Sequence, residues 1–207
     1  MDSAALVHVI DDDPSMRRAV AALLRSVGIE SATYETCSAF LAAELPDQPS
    51  CLLLDVRLPG MSGLDFQGQL EALGIRLPVI MMTAHGDVPM TVRAMKAGAM
   101  DFLPKPFRDQ DLLDAVAAAL ELDGRRRKTD GELATLSRRY EGLSSREKQV
   151  MQLITAGRLN KQAAYDLGLS EITVKLYRAA AMKKMEARTL ADLVKMAERL
   201  KIGEAVV

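Results

Sequence analysis

The sequence Cys-Leu-Leu-Leu-Asp, at residues 51–55, decides the fold of this 207-residue chain. Leu53 and Leu54 leave no alternation of polar and apolar side chains, which is typical of a strand that is buried on both faces. Similar short apolar runs alternate with segments of helical periodicity through the first 120 residues. The predicted strands are 6–10, 31–34, 51–54, 79–82 and 101–103, and the predicted helices are about 14–27, 38–45, 63–73, 89–97 and 109–120. This order predicts an α/β doubly wound fold with a five-stranded parallel sheet.

The last 65 residues, 143–207, differ because every segment has helical periodicity. Ser144 and Glu147 have the spacing of a capping box, which predicts a helix that ends near residue 156. The other predicted helices are 160–167, 171–185 and 190–200. A short turn that contains Gly168 joins the second helix to the third, as in a helix-turn-helix. We therefore predict an all-α domain of four helices.

A charge-rich stretch, residues 121–142, lies between these two parts. Apolar residues recur in it at spacings of three and four, so we interpret it as a helical linker that packs along itself or against a partner chain. Gly124 and Gly131 each weaken that helix by about 1 kcal/mol relative to alanine, which would allow a break. The predicted domains are therefore 1–120, 121–142 and 143–207.

Composition and charge narrow the class of protein. Hydrophobic residues make up 49% of the chain and charged residues 27%, values that are ordinary for a globular protein. We expect no membrane segment, because no apolar run approaches 18 residues. We expect a cytoplasmic location, since the only two cysteines form no Cys-x-x-Cys pair and the first residues lack the pattern of a signal peptide. The net charge is −7 over residues 1–120 and +5 over residues 143–207, which suggests that an acidic module is joined to one that meets polyanions.

Polar residues follow the predicted strands at the edge where parallel sheets bind ligands. Asp11, Asp12, Asp55, Thr83 and Lys105 all lie at such strand ends. Two carboxylates about 4 Å apart repel by about 4 kcal/mol at an effective dielectric constant of 20, so a cluster of them calls for a cation. Oxygen ligands of this kind suit Mg²⁺, and a lysine and a hydroxyl beside a carboxylate describe a site that forms an aspartyl phosphate.

The motifs 9–13, 54–63, 83–90 and 105–107 resemble the receiver domain of two-component response regulators. The resemblance implies that Asp55 is the phosphoacceptor and that Asp12, Asp55 and the carbonyl of Arg57 bind Mg²⁺, with Asp11 acting through water. It also implies that Thr83 and Lys105 bind the phosphoryl oxygens. Phe102 falls at the aromatic switch position, while Asp13 and His85 are interpreted as ordinary loop residues.

Residues 143–200 resemble the DNA-binding domain of the LuxR, FixJ and NarL regulators, through the motifs 143–150, 160–164, 167–170 and 173–178. The second helix of the motif would enter the major groove of double-stranded promoter DNA. The candidate DNA-binding residues are Lys161, Ser170, Thr173, Lys175, Leu176 and Arg178, with Lys175 as the best candidate for a base contact. Tyr177 and Ala180 depart from the residues that are common in this family, which leaves the operator sequence open.

Together the two resemblances predict a phosphorylation-activated transcriptional regulator that is not a classical enzyme. A sensor histidine kinase would phosphorylate Asp55, and the receivers would then form a homodimer through a face that includes Val92 and Lys96. RNA polymerase is a further expected partner. Release of an inhibitory contact between the two domains is the alternative to activation by dimerisation.

A phosphatase of the haloacid dehalogenase class is an alternative function, but such an enzyme needs an acidic residue where this chain has Arg57. A second alternative is an interaction protein that has lost DNA binding.

Overall fold

The computed structural model describes residues 5–84 and 88–202. The chain forms two compact units that divide between Arg127 and Lys128. The first contains the strands β1 Leu6–Ile10, β2 Glu30–Tyr34, β3 Ser50–Asp55, β4 Val79–Thr83 and β5 Asp101–Pro104, with the helices α1 Pro14–Ser26, α2 Cys37–Leu41, α3 Gly63–Leu70, α4 Val88–Lys96 and the start of α5 Asp109–Glu141. His85, which the sequence analysis interpreted as a loop residue, lies outside the described residues.

The five strands form one parallel sheet in the order β2-β1-β3-β4-β5, which confirms the predicted fold class. All six residues of β3 are buried, as its unbroken apolar sequence predicts. One core cluster packs α1 and α5 on one face of the sheet, and a second packs α2, α3 and α4 on the other. This arrangement brings the carboxyl ends of β1, β3 and β4 to one edge.

Helix α5 differs from the prediction, because it does not end near residue 120 but continues to Glu141. The carboxylate of Asp123 is fully buried and accepts hydrogen bonds from the backbone N–H of Ser50 at 3.0 Å and from Nε of Arg127 at 2.6 Å. Arg126 also pairs with Asp123 and donates to the carbonyl of Arg76. These contacts with distant segments hold the helix through the first of its two interior glycines.

The second unit contains the rest of α5 and the helices α6 Ser145–Thr155, α7 Asn160–Leu167, α8 Glu171–Met185 and α9 Leu190–Arg199. The capping box of Ser144 and Glu147 is present, and Gly168 ends α7 with φ +65°, so the predicted helix-turn-helix is confirmed. Leu136 and Leu143 are buried with residues of α6, α8 and α9. The unit thus begins at Lys128, whereas the sequence analysis began the domain at residue 143. Among the described residues, none of the helices has the length and apolar character that a membrane span needs.

Candidate functional site

The edge of the sheet gathers three carboxylates. Asp11 and Asp12 follow β1, and Asp55 ends the neighbouring strand β3. Within the described residues, oxygens of these three side chains lie within 4.8 Å of one another, in a group that could hold a metal ion. Asp11 and Asp55 are buried, whereas Asp12 is exposed to solvent. The predicted acidic pocket is therefore present, and its donor set is compatible with Mg²⁺.

Lys105 joins two of these carboxylates. Its Nζ atom lies 2.6 Å from Oδ2 of Asp11 and 3.1 Å from Oδ1 of Asp55. The lysine follows β5, and its backbone N–H donates to the carbonyl of Thr83 at 2.6 Å, which ties it to the end of β4. Burial lowers the pKa of Lys105, but its hydrogen bonds and attraction to Asp11 and Asp55 outweigh that effect and raise the pKa overall. The pocket thus holds a firmly protonated ammonium group beside the buried carboxylates.

The electrostatics of the pocket favour an additional cation. Burial raises the pKa of Asp55, Lys105 opposes that rise, and the negative charges of Asp11 and Asp12 add to it. One ammonium group therefore does not compensate fully for the burial of Asp55 together with the repulsion from Asp11 and Asp12. A divalent cation would stabilise the ionised form of Asp55, which is the nucleophilic form.

Asp13 has a structural role that the sequence analysis did not identify. It is the N-cap of α1, where its Oδ1 accepts the backbone N–H of Ser15 at 2.8 Å. Its own backbone N–H donates to Oδ1 of Asp11 at 2.9 Å, and Arg17 donates to the carbonyl of Asp11 at 2.5 Å. An aspartate directly before a proline at the first helical position is a signal that could have revealed the cap.

Gly63 is a second position that sequence reasoning missed. A Cβ atom at this residue would lie 2.0 Å from the backbone oxygen of Asp55 and 3.2 Å from Cγ of Leu54. The backbone N–H of Gly63 also donates to the carbonyl of Val56 at 3.0 Å. The first turn of α3 therefore packs directly on the backbone that carries Asp55, and only glycine allows this approach.

The remaining predicted receiver residues lie at the ends of β3 and β4, on β5 or on α4. Thr83 is fully buried, and its hydroxyl donates to Sδ of Met90 at 3.9 Å. Phe102 is half-buried against the core cluster formed with α3 and α4. Val92 and Lys96 are exposed on α4, and the side chain of Arg57 is exposed after β3.

The helix-turn-helix of the second unit carries the predicted DNA-binding residues. Lys161 on α7 and Lys175 and Leu176 on α8 are exposed. Nζ of Lys175 lies 3.0 Å from Oε1 of Glu171, one turn earlier. Among the other candidates, Ser170 is the N-cap of α8, its Oγ accepts the N–H of Thr173 at 3.1 Å, and Arg178 is half-buried.

One lysine of α8 has a role inside the unit. Nζ of Lys184 lies 2.7 Å from Oε2 of Glu147, a buried carboxylate on α6. The same oxygen accepts the backbone N–H of Ser144 at 2.6 Å. Lys184, which adds to the basic character of α8 in the sequence, therefore links α6 to α8. The hydrogen bonds from Lys184 and Ser144 lower the pKa of Glu147.

Comparison with known proteins identifies both units. Residues 7–117 match the model of the response regulator receiver domain, and residues 141–197 match that of the bacterial regulatory proteins of the luxR family. Nodulation protein W of Bradyrhizobium diazoefficiens is 56% identical over 199 residues, which are 96% of this chain and 88% of that protein. Response regulator protein TodT of Pseudomonas putida is 44% identical over 200 residues, which are 97% of this chain and 88% of that protein.

Solved structures give the same result. The response regulator StyR matches with a TM-score of 0.86 at 47% sequence identity, over 95% of this chain and 100% of that one. Full-length FixJ from B. japonicum matches with a TM-score of 0.58 at 37% identity, over 96% of this chain and 98% of that one. These similarities confirm a transcriptional regulator rather than a classical enzyme, with a kinase and DNA as implied partners. The chain belongs to the response regulators that combine a receiver domain with a LuxR-type DNA-binding domain.

Proposed function

We propose that Asp55 accepts a phosphoryl group from the phosphohistidine of a sensor kinase. An Oδ atom of Asp55 attacks phosphorus, the new O–P bond forms as the P–N bond of the donor breaks, and the histidine nitrogen leaves. The observation that carries this proposal is the position of Lys105 Nζ, 2.6 Å from Asp11 and 3.1 Å from Asp55. This ammonium group can move to the incoming phosphoryl oxygens and neutralise the charge that develops there.

Mg²⁺ is the proposed cofactor. Asp12, Asp55 and the carbonyl of Arg57 would hold the ion, with Asp11 acting through water, and the ion would neutralise the phosphoryl oxygens. The compatible group of three carboxylates and the raised pKa of Asp55 support this assignment. The buried hydroxyl of Thr83, at the end of the adjacent strand β4, would donate to the phosphoryl group.

Labelling with a small phosphodonor tests the assignment of Asp55. Acetyl phosphate should label the wild-type chain only when Mg²⁺ is present, and Asp55→Asn should abolish the label because an amide is not a nucleophile. Asp12→Ala should raise the Mg²⁺ concentration needed for half-maximal labelling. Asp65→Asn is the matched control, since Asp65 is an exposed acid on α3 outside the pocket, and it should label normally. Undiminished labelling of Asp55→Asn at a single site would contradict the proposal.

The second unit is the proposed output. Insertion of α8 into the major groove would bring Lys175 and Leu176 to base edges, while Ser170, Thr173, Lys161 and Arg178 contact phosphates. The exposure of Lys161, Lys175 and Leu176 supports this arrangement. A DNA-binding function also supports a cytoplasmic location, and RNA polymerase is a further proposed partner.

Phosphorylation is proposed to act through dimerisation of the receiver. A phosphoryl group adds a charge of about −1.5 to −2, which would draw Thr83 away from Met90 and let Phe102 turn inward. The exposed face of α4, with Val92 and Lys96, would then form a two-fold contact that brings two DNA-binding units to adjacent half-sites.

Sedimentation of the phosphorylated chain tests this step. Val92→Asp and Lys96→Asp should keep the wild-type level of phosphorylation but abolish the shift from monomer to dimer. Val27→Asp is the matched control, because Val27 is also an exposed valine but lies at the end of α1. If phosphorylation leaves the monomer fraction of the wild type unchanged, the proposed dimerisation mechanism is wrong. Release of an inhibitory contact between the domains would then explain activation better.

A further inference from the structure

Two apolar side chains of α8, Ile172 and Leu176, are mostly exposed to solvent. Among the described residues, five large apolar side chains are more than 60% exposed, and they are Val88, Leu159, Tyr165, Ile172 and Leu176. Ile172 and Leu176 are the pair that lies four residues apart on one helix, so they form one continuous patch. From the sequence, Leu176 was a candidate DNA-binding residue, but Ile172 was not, and the two were not expected to form a patch.

The direction of the patch follows from helical geometry. Val174 is fully buried, and with Ala181 and Met185 it marks the face of α8 that packs into the unit. At 3.6 residues per turn, Ile172 and Leu176 each lie about 160° around the helix from Val174. The helix is therefore apolar on two opposite faces, and only one of them contributes to the core.

The charges around the patch favour a polyanion as its occupant. Residues 143–207 carry 12 basic and 7 acidic residues. Lys175 lies between the two apolar residues in sequence, is exposed and pairs with Glu171, and Lys183 is exposed on the same side of α8, opposite Val174. The excess of basic residues in this unit suits a DNA groove, which offers both phosphates and base edges.

We propose that Ile172 and Leu176 contact the 5-methyl groups of two thymines in the major groove, an inference that rests on DNA binding through α8. Thymine is the only base that presents a methyl group there. Other base edges present donors and acceptors, which would lose water against an aliphatic side chain without gaining a hydrogen bond. The patch therefore selects thymine by burial of apolar surface and by the penalty on the alternatives.

Helix and duplex dimensions limit the spacing of the two thymines. Four residues of helix rise about 6 Å, and successive base pairs are about 3.4 Å apart. The two methyl groups should therefore belong to base pairs that are at most about two steps apart in each half-site.

Replacement of thymidine by deoxyuridine tests the contact, because it removes only the methyl group. The full chain, treated with acetyl phosphate and Mg²⁺, first selects its preferred duplex from a random pool. Each thymidine of that duplex is then replaced in turn, and Kd is measured by fluorescence anisotropy. Loss of one buried methyl group should weaken binding about three- to fivefold at two positions of each half-site and leave Kd unchanged elsewhere.

Two variants assign the positions to side chains. Ile172→Ala should remove the deoxyuridine effect at one position of each half-site, and Leu176→Ala should remove it at the other. Leu159→Ala is the matched control, since Leu159 is similarly exposed but precedes α7, and it should retain both effects. Unchanged thermal unfolding of the three variants would show that the truncations leave the fold intact.

The outcomes separate this inference from the proposed function. Selection of a specific duplex that is insensitive to deoxyuridine, or whose sensitivity persists in both α8 variants, overturns the thymine contacts but keeps DNA binding. Failure of the wild type to select any sequence overturns the proposed function of α8 instead. If Ile172→Ala changes the oligomeric state and leaves DNA affinity unchanged, the patch belongs to an interface with a second copy, and the inference is wrong.

Discussion

The acidic pocket of the first unit and the exposed face of α8 in the second differ in how they expose charged and apolar side chains to water. In the pocket, Asp11 and Asp55 are buried, and Lys105 lies within 3.1 Å of both. On α8, the ion pair of Lys175 with Glu171 is exposed, and two apolar side chains project into solvent. The pocket keeps Asp11, Asp55 and Lys105 largely away from water before any ligand arrives, whereas the proposed DNA contacts of α8 would lose water only on binding.

This difference predicts how substitutions behave in the two regions. Buried charges depend on one another, so a change in the pocket should alter stability and chemistry together. Exposed ion pairs contribute about 0–1 kcal/mol, so a change on α8 should alter DNA binding and leave stability nearly constant. Substitutions at Gly63, which packs on Asp55, and at Lys175, on α8, test this contrast, and a substitution at His8 extends it to a buried group outside both regions.

The largest effect is expected from Gly63→Ala. A Cβ atom 2.0 Å from the backbone oxygen of Asp55 cannot be accommodated without moving the backbone, because the clash is not with a flexible side chain. We expect the free energy of unfolding to fall by about 3 kcal/mol. A displacement of Asp55 by about 1 Å should also slow labelling by acetyl phosphate about 100-fold. Urea denaturation and labelling kinetics measure the two effects.

Gly68→Ala provides the matched control for this prediction. Gly68 lies in the same helix, α3, and a Cβ atom there would meet nothing within 4 Å. Alanine should therefore stabilise the helix by about 0.5–1 kcal/mol and leave labelling unchanged. If both variants behaved alike, helix propensity rather than the contact with Asp55 would explain the role of Gly63.

The sequence was most informative where local signals determine structure. The predicted bounds of α7 and α8 agree with the structure, because Gly168 and Ser170 are strong local signals for a helix end and a helix start. The strand ends also brought Asp11 and Asp55 together as expected, since the carboxyl ends of parallel strands meet at one edge.

Features that depend on distant contacts were not predictable in the same way. The continuation of α5 past residue 120 is accompanied by the contact of Asp123 with Ser50, 73 residues away. The pairing of Lys184 with Glu147 spans 37 residues, so nothing in the sequence of α8 distinguishes Lys184 from its neighbour Lys183. Gly63 has no side chain whose chemistry could indicate that α3 packs on Asp55.

A smaller effect is expected from His8, a core residue of β1. Its side chain is buried, Nδ1 lies 3.1 Å from the hydroxyl of Tyr34, and burial lowers its pKa to about 4. Because this pKa is below the unfolded value of about 6.5, unfolding takes up a proton in acid. The contribution to stability is complete above pH 6.5 and is lost as the pH falls towards 4, with an upper limit of about 3 kcal/mol.

His8→Phe tests this linkage while it keeps an aromatic ring beside Tyr34 and Phe40. The free energy of unfolding of the variant should depend less on pH between 6.5 and 4 than that of the wild type. Urea denaturation at several pH values measures the difference, in which the titration of the shared acidic residues cancels. Equal pH dependence in the two proteins would show that His8 is not the group responsible.

The smallest effect on stability is expected from Lys175→Ala, which should alter DNA binding alone. The exposed pair with Glu171 contributes little to stability, so the midpoint of thermal unfolding should stay within error of the wild type. Binding to the selected duplex should weaken by about 1–3 kcal/mol because a base contact is lost, while binding to random duplexes should change little. Lys161→Ala should instead weaken all duplexes alike and reduce the slope of log K against log salt by about 1, as expected for a phosphate contact. If Lys175→Ala loses the same affinity for selected and random duplexes, Lys175 binds phosphate and does not recognise a base. If the unfolding temperature of Lys175→Ala falls strongly, the contrast between the buried pocket and the exposed helix is wrong.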